Sequence, residues 1–195
     1  MSKSNYKLPA FKAVTIDPIF LTFTMSFSIL PATPEDSTAL KNLVNAAYRG
    51  DSSRQGWTTE ADLLDGGRTD AAAIEEIIRK PGHWILKYLG DGQLLGCMEL
   101  HKEGEKLYLG MLTVLPLVQG KGIGKQLLKA AESEARKQEC DVIYMTVISV
   151  RKELIDWYVR HGYHDTGQRK PFSFNNPRFG QPKMKLEFVL LEKAV

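Results

Sequence analysis

The stretch from Gln119 to Lys125 alternates glycine with other residues, between a predicted strand and a predicted helix. Gly120, Gly122 and Gly124 leave the backbone uncovered, so several N–H groups can converge on one ligand. The helix that follows adds N–H groups without intrahelical partners and the positive end of its dipole. Donors arranged in this way bind phosphate or pyrophosphate. The loop therefore predicts a site for a phosphorylated cofactor.

The spacing of the glycines separates the candidate cofactors. A P-loop has Ser or Thr directly after its Gly-Lys, and neither Lys121 nor Lys125 is followed by one. A dinucleotide-binding loop reads Gly-x-Gly-x-x-Gly, whereas this loop reads Gly-x-Gly-x-Gly. The pattern that does fit is Gln-x-x-Gly-x-Gly, formed by Gln119, Gly122 and Gly124.

A second segment places Tyr158 near the end of a predicted helix, just before a Gly-aromatic pair, Gly162-Tyr163. Together the two segments resemble the GNAT N-acetyltransferase superfamily, and the match in element order covers residues 26–193. The resemblance implies an α/β (α+β) fold. In it, a mixed, mostly antiparallel central sheet of about seven strands is flanked by about four helices and splayed between the fourth and fifth strands.

The same resemblance implies acetyl-CoA as co-substrate and no metal. The pantetheine arm is expected along Leu112, Thr113 and Val114, paired as a pseudo-strand with their exposed backbone groups. A backbone N–H near Leu112 is expected to steady the oxyanion. The pyrophosphate is expected on the glycine loop, which comprises Gln119, Gly120, Lys121, Gly122, Ile123, Gly124 and Lys125. Lys121 and Lys125 either add charge near the phosphates or are solvated.

Arg151 occupies a position where many GNAT members carry an Asn that bonds the cofactor. It either meets a phosphate of the CoA nucleotide or is an exposed cation at a helix start.

By resemblance, Tyr158 protonates the departing thiolate. An unperturbed tyrosine has a pKa of about 10 and a thiol one of about 8.5, so this proton transfer is feasible at neutral pH. The alternative is a core aromatic that packs beside Leu154, Ile155 and Val159.

An ammonium acceptor must lose a proton before it attacks, so a base is needed. Cys97, Glu99 and His101 share one face of a predicted strand, because side chains alternate with a period of two. Glu99 is the first candidate for the base, although a carboxylate on a wet strand face is the alternative. Glu60 is the second candidate.

Acceptor specificity is expected from residues 49–68, which in this fold cover the amine site. The candidates are Arg54, Trp57, Glu60 and Arg68, which can stack and pair charges. The arginines favour an acceptor that carries a carboxylate or a phosphate. An ordinary loop surface is the alternative.

The remaining elements follow from periodicity and turn signals. Helices are predicted from Thr33–Pro34 to Tyr48, around Ile74–Ile78, over 122–138 and over 151–161; strands are predicted over 27–30, 84–88, 94–101, 107–114, 141–148, from 163, and over 184–191. Gly90-Asp91-Gly92 predicts a hairpin turn. This order indicates a mixed sheet with helices on both faces.

Length, charge and cysteine and histidine content argue against several classes of protein. The 195 residues fit one domain, and a net charge of +3 without a dense basic tract gives no support for nucleic-acid binding. Two cysteines make no disulfide framework, which favours a reducing cytoplasm. His83, His161 and His164 lack the spacing of metal ligands.

The first 25 residues are predicted to be an arm outside the 26–193 domain, or an extra strand that uses Val14, Ile16, Phe20 and Leu21. The apolar run 19–30 is too short to span a membrane.

The sequence thus predicts a cytoplasmic, acetyl-CoA-dependent N-acetyltransferase that acts by direct attack in a ternary complex. A small-molecule or peptide amine is the expected acceptor, and family resemblance adds a homodimer as one option. The alternatives are a non-catalytic acyl-CoA-binding or regulatory module, and a protein-interaction module built on the N-terminal arm.

Overall fold

A computed structural model describes residues 26–172 and 180–195. The N-terminal arm predicted before Met25 and part of the predicted Pro/Asn/Gly-rich loop, residues 173–179, lie outside the described residues. Within the described part, no helix combines the length and apolar character that crossing a membrane requires.

The described elements follow the predicted order, with a few short additions. The helices are α1 (Ser37–Tyr48), α2 (Gly50–Ser53), α3 (Ala71–Arg79), α4 (Ile123–Lys137) and α5 (Lys152–Arg160). The strands are β1 (Phe27–Pro31), β2 (Leu64–Asp65), β3 (His83–Gly90), β4 (Gln93–Glu103), β5 (Lys106–Val114), β6 (Val142–Ile148), β7 (His164–Pro171), β8 (Gln181–Pro182) and β9 (Glu187–Ala194). Short 3₁₀ turns at Pro34–Asp36 and Pro116–Val118 precede α1 and α4.

Local sequence sets several of these boundaries. The backbone N–H of Thr33 donates to Asp36 Oδ2 at 2.8 Å, which stabilises the turn that leads into α1. Asp70 caps α3 by accepting a hydrogen bond from the N–H of Ala73 at 2.9 Å. The β3–β4 hairpin turns through Asp91 and Gly92, both at positive φ, as a type I′ turn requires.

The main sheet has seven strands in the order β1-β3-β4-β5-β6-β9-β7. All neighbours are antiparallel except β5 and β6, which run parallel. Their pairing is short: it joins Lys106, Leu107 and Tyr108 to Val142, Ile143 and Tyr144 and then stops. Beyond Tyr108 the two strands diverge, which confirms the predicted splay and leaves backbone groups of both strands facing a gap.

A β-bulge in β5 shapes the edge of this gap. Two residues, Met111 and Leu112, oppose the single Met98 of β4, and Met111 adopts a φ of 50°. A left-handed, non-glycine residue is uncommon and costs free energy, so the surrounding packing must hold it. A bulge also re-aims the side chains that follow it.

Helices cover both faces of the sheet. Leu127 and Ala131 of α4 pack on one face, in a core cluster that also contains Tyr158 of α5. On the other face, Leu40 of α1 and Ile74 of α3 pack against β3 and β4. This layering places α4 and α5 on one face of the sheet and α1 and α3 on the other.

Candidate active site

The glycine loop leads into the uncapped N-terminus of α4. Gly122 is the N-cap residue, at a φ of 83°, and no side chain caps the helix. The first intrahelical bond runs from Gln126 N to Gly122 O at 3.1 Å. The N–H groups of Ile123, Gly124 and Lys125 therefore have no partner within the helix and are available to an anion.

Ile123, Gly124 and Lys125 line a cavity of about 270 Å³, which we call the glycine-loop cavity. Its walls come from α1, the 57–58 loop, the end of β5, the glycine loop and α5. Of the eleven residues predicted to bind the cofactor, the cavity lining contains Leu112, Thr113, Val114, Gln119, Gly120, Gly122, Ile123, Gly124, Lys125 and Arg151. Lys121 is exposed and does not line it.

Gln119 joins the loop to two other parts of the structure. Its side-chain amide donates to the carbonyl of Val114 at 3.1 Å, and its Oε1 accepts from the N–H of Trp57 at 2.9 Å. A Cβ on Gly56 would lie 2.5 Å from this Oε1, so the glycine permits the close approach. Gln119 thus fixes the 56–57 backbone over the end of β5.

Tyr158 of α5 is buried, with 5% of its surface exposed, and lines the glycine-loop cavity. Burial, followed by the nearby Tyr48, raises the pKa of Tyr158 well above 10. Its phenol therefore keeps a proton at neutral pH and can donate it.

A second cavity, of about 160 Å³, lies between the diverging ends of β5 and β6. We call it the Arg68 cavity. The two cavities share one wall, which consists of Tyr48, Leu112, Arg151, Leu154 and Tyr158. Beyond that wall, the Arg68 cavity is bounded by Glu60, Arg68 and Phe188, together with residues 108–111 of β5 and 145–148 of β6.

The shared wall is stiffened by Tyr48, whose hydroxyl donates to the carbonyl of Leu112 at 2.9 Å. Burial and, secondarily, the charge of Glu60 raise the pKa of Tyr48 to about 12, so this donor remains protonated. The bond ties α1 to the bulge of β5.

A buried ionic cluster includes Arg151 of the shared wall. Arg49 and Arg151 each donate to one carboxylate oxygen of Glu60, Arg151 at 2.8 Å. Arg151 also donates to Thr58 Oγ1 at 2.6 Å, and Thr58 donates to Glu153. All three members of the Arg49–Glu60–Arg151 cluster are less than 10% exposed. The guanidinium predicted for a cofactor phosphate is thus already engaged by a carboxylate and a hydroxyl.

The predicted acceptor residues separate into three groups. Glu60 and Arg68 line the Arg68 cavity, whereas Trp57 lines the glycine-loop cavity. Arg54 lines neither; it is exposed and forms a bidentate pair with Asp62.

Unlike Arg54 and Arg151, Arg68 has no carboxylate partner among the described residues. Its guanidinium lies 5.5 Å from the centre of the Tyr48 ring and forms no ion pair within residues 26–172 and 180–195.

Glu99, the predicted base, lies outside both cavities. Its carboxylate is 18% exposed and approaches His83 and His101, with Oε1 at 3.8 Å from each Nδ1. Gly110 stands directly opposite Glu99 in the β4–β5 ladder and does line the Arg68 cavity.

Sequence reasoning missed several lining residues, namely Tyr48, Tyr108, Thr146, Leu154, Trp157, His161 and Phe188. Trp157 and His161 belong to the second motif, and a Cβ on Gly124 would lie 3.2 Å from the Trp157 ring. The sequence signal for Trp157 and His161 was their place in the motif next to Tyr158. Nothing local to Tyr108, Thr146 or Phe188 marks them, because strand pairing brings them together.

Residues 39–163 match the Acetyltransferase (GNAT) family. No curated protein matches the chain.

Solved structures resemble the fold closely. The ribosomal-protein-S18-alanine N-acetyltransferase from Escherichia coli aligns with a TM-score of 0.65 at 10% identity, over 87% of this chain and 94% of that one. The ribosomal-protein-alanine N-acetyltransferase from Brucella melitensis aligns with a TM-score of 0.64 at 22% identity, over 86% and 99%. An N-acetyltransferase from Staphylococcus aureus Mu50 gives 0.63 at 16% identity, over 87% and 98%.

Proposed function

The chain belongs to the GNAT acetyltransferase family and is an acyltransferase, and from that premise we propose an acetyl-CoA-dependent N-acetyltransferase acting on a primary amine. One observation carries the proposal: the uncapped N-terminus of α4 opens into a cavity that ends at Tyr158, beside the gap between β5 and β6. Together these features supply a site for an anion, an open strand edge and a proton donor next to one another.

The glycine-loop cavity suits acetyl-CoA in two ways. Free N–H groups of Ile123, Gly124 and Lys125 are proposed to hold the pyrophosphate, with Lys125 adding charge. The backbone of residues 112–114, whose side chains line the cavity, is proposed to pair with the pantetheine amides as an added strand.

Transfer is proposed to occur by direct attack. The amine nitrogen forms a bond to the thioester carbonyl carbon, and a main-chain N–H at the bulge near Leu112 steadies the charge on the carbonyl oxygen. The carbon–sulfur bond then breaks, and Tyr158 gives its proton to the departing thiolate. The products are an N-acetylated amine and free CoA thiol.

The amine acceptor is proposed to enter through the Arg68 cavity and to carry an anionic group. Arg68 is the cation there without a carboxylate partner among the described residues, whereas Arg151 is held by Glu60. A guanidinium binds carboxylate or phosphate with strong, charge-assisted bonds. Two structural neighbours are named as ribosomal-protein-alanine N-acetyltransferases, which makes a peptide N-terminus with an acidic group one candidate acceptor. A small amine that carries an acidic group would satisfy Arg68 equally well.

The base that takes the amine proton stays a prediction, with Glu99 first and Glu60 second. Both oxygens of Glu60 already accept bonds from Arg49 and Arg151, which leaves it less free to accept a proton. The Glu99→Gln and Glu60→Gln variants address this choice. Loss of the base lowers kcat on the order of 10²–10⁴-fold, and a variant that keeps full turnover is excluded from the role. Cytoplasmic localisation and a homodimer likewise stay predictions.

Two measurements test the proposed function. Titration calorimetry with CoA is expected to show one site, and incubation with acetyl-CoA and a panel of amines, neutral and acidic, is expected to release free thiol with the acidic members preferred. A folded protein that gives no heat with CoA contradicts the cofactor assignment. Binding without thiol release for any amine indicates the non-catalytic acyl-CoA-binding alternative.

A further inference from the structure

A row of ring side chains crosses four strands at the end of the sheet where β5 and β6 are still paired. His83 stands opposite His101, His101 opposite Tyr108, and Tyr108 opposite Tyr144. The ring centres are 4.2, 4.5 and 5.3 Å apart in that order. This row has no part in the proposed acetyl transfer, apart from Tyr108, which lines the Arg68 cavity.

Two of these rings turn the same nitrogen toward one carboxylate. Nδ1 of His83 and Nδ1 of His101 each lie 3.8 Å from Oε1 of Glu99. Both Nδ1 atoms are buried, and neither forms a hydrogen bond within the described part of the chain. One ligand atom from each of the three residues lies within 4.8 Å of the others. Buried nitrogens without partners are costly, so their convergence on a carboxylate needs a reason.

The opposite nitrogen of His101 is held in place. Its Nε2 lies 2.9 Å from Oε1 of Glu103, and the hydroxyl of Tyr144 donates to the other oxygen of Glu103. Because an ionised carboxylate only accepts, Nε2 carries the proton, and in the neutral ring the lone pair is left on Nδ1. A carboxylate behind a histidine is the usual support of a metal-ligating imidazole.

We propose that His83, Glu99 and His101 form a binding site for a divalent transition-metal ion of the Zn²⁺ class. Two imidazole nitrogens and one carboxylate oxygen suit Zn²⁺, Co²⁺ or Ni²⁺, whereas Mg²⁺ and Ca²⁺ prefer oxygen ligands. Three protein ligands leave the fourth tetrahedral position to water or another ligand.

Binding requires a small rearrangement. Ligand atoms of a tetrahedral zinc site, bonded at about 2.0–2.1 Å, lie about 3.4 Å apart. The present separations of 3.8 Å must therefore shorten. The two imidazoles are stacked with 25° between their planes, so one ring must rotate to bring both lone pairs to the same ion. The three side chains are 14–18% exposed although both Nδ1 atoms are buried, so the same ring rotation must also open the ligand atoms to an entering ion.

This inference departs from the expectation, drawn from sequence, of no metal. The ligands lie on two strands, and His101 follows His83 by 18 positions in the sequence. No local spacing marks such a site, because it depends on the β3–β4 register. The site shares Glu99 with the predicted base of acetyl transfer, but metal binding and acetyl transfer are measured separately, so each inference can fail alone.

The test uses zinc chloride and cobalt chloride with the full chain. Titration calorimetry is expected to give one Zn²⁺ per chain, and Co²⁺ to give visible absorption bands of a tetrahedral site. Histidine ¹⁵N NMR is expected to show shifts at Nδ1 of His83 and His101, with His161 and His164 unchanged. Because Glu99 is also the predicted base, the variants avoid it.

Two variants and one control make the result specific. His83→Phe keeps a ring stacked on His101 but removes a ligand, and it should weaken Zn²⁺ binding at least about tenfold. Glu103→Gln leaves all three ligands and should weaken binding about 10- to 100-fold by losing the carboxylate support. His164→Phe, at an exposed position on β7, should bind as the unmodified chain does.

Folding of each variant is checked by circular dichroism. Absence of stoichiometric Zn²⁺ binding to the folded chain overturns the proposal. So does equal affinity in His83→Phe and the unmodified chain, or NMR shifts confined to His161 and His164.

Discussion

The two cavities that meet at Tyr158 obtain their polar groups from different levels of structure. The glycine-loop cavity offers main-chain N–H groups from one continuous stretch, residues 122–125, fixed by a glycine cap and a helix start. The Arg68 cavity offers side chains from distant places, including Glu60, Arg68 and Thr146. Backbone groups recognise what all cofactors of one kind share, whereas side chains can change between proteins without altering the fold. Under the proposed function, the glycine-loop cavity therefore binds the cofactor, and the Arg68 cavity selects the acceptor.

The largest effect is expected from a charge placed in the backbone cradle. Gly122→Asp should weaken CoA binding about 1000-fold or more, since a carboxylate about 4 Å from a phosphate costs about 4 kcal/mol near a protein surface. A Cβ at this position has nothing within 4 Å in the structure, so crowding within the protein is not the cause. Titration calorimetry with CoA measures the effect.

Two controls isolate the charge. Gly122→Asn has the same shape without charge, and Asn tolerates a positive φ nearly as well as Asp. Gly104→Asp carries the same strain at a remote turn, where φ is 59° and a Cβ is also unobstructed. Both should bind CoA far better than Gly122→Asp. Similar affinity in all three contradicts the assignment of the cradle.

The next effect concerns the wall that both cavities share. Tyr158→Phe should lower kcat on the order of 100-fold while the KM for acetyl-CoA changes little, because only proton donation is lost. The raised pKa of Tyr158 means that its phenol keeps its proton as pH rises to about 10. Below pH 10, the pH profiles of kcat for the unmodified chain and for Tyr158→Phe should therefore have the same shape. Unchanged turnover across the pH range removes Tyr158 from the mechanism.

A smaller, selective effect is expected in the second cavity. Arg68→Gln should raise the KM for acidic amines about 10- to 100-fold, the value of a charge-assisted hydrogen bond, and leave CoA affinity unchanged. Arg54→Gln is the matched control, since Arg54 is exposed, paired with Asp62 and outside both cavities. Steady-state kinetics with acidic and neutral amines compare them. An equal loss for both classes of amine contradicts recognition of an anion by Arg68.

The smallest effect is expected at Gln119, which joins the glycine loop to Trp57 and to the end of β5. Gln119→Leu removes the bonds to Trp57 and Val114, and it should raise both the CoA Kd and the acceptor KM about threefold to tenfold. Calorimetry and kinetics on one preparation measure the two constants. A change in only one constant shows that Gln119 serves that cavity alone.

The same contrast explains how much the sequence could predict. Gly120 and Gly122 have positive φ, which favours glycine, and the alternating glycines are visible in the sequence, so most of the glycine-loop cavity was predictable from its motif. Arg68 was predicted only as one of several loop residues. Tyr108 and Phe188 were missed, because their approach depends on the pairing of β5, β6 and β9.

Fold prediction shows the same limit. The seven main strands, the α1, α3, α4 and α5 helices and the splay followed from periodicity and resemblance, and the structure confirms them. The two-residue ladder between β2 and β8 was missed, since so short a strand has no period to detect. The last strand begins at Glu187 rather than 184, because Leu186 packs in a small cluster with Leu64 and Ile148 before the ladder starts.

The shared wall of Tyr48, Leu112, Arg151, Leu154 and Tyr158 has a consequence for inhibitor design. Since this wall is only one side chain thick at Tyr158, a compound that joins the sulfur of CoA to an acidic fragment through a short tether would fill both cavities at once. Once the nucleotide end is bound, the fragment is held at an effective concentration in the millimolar range, as for other short linkers. Even a weakly bound fragment should then increase the affinity of the whole compound. A series of compounds with different fragments would measure how the acceptor selectivity of this chain differs from that of other family members.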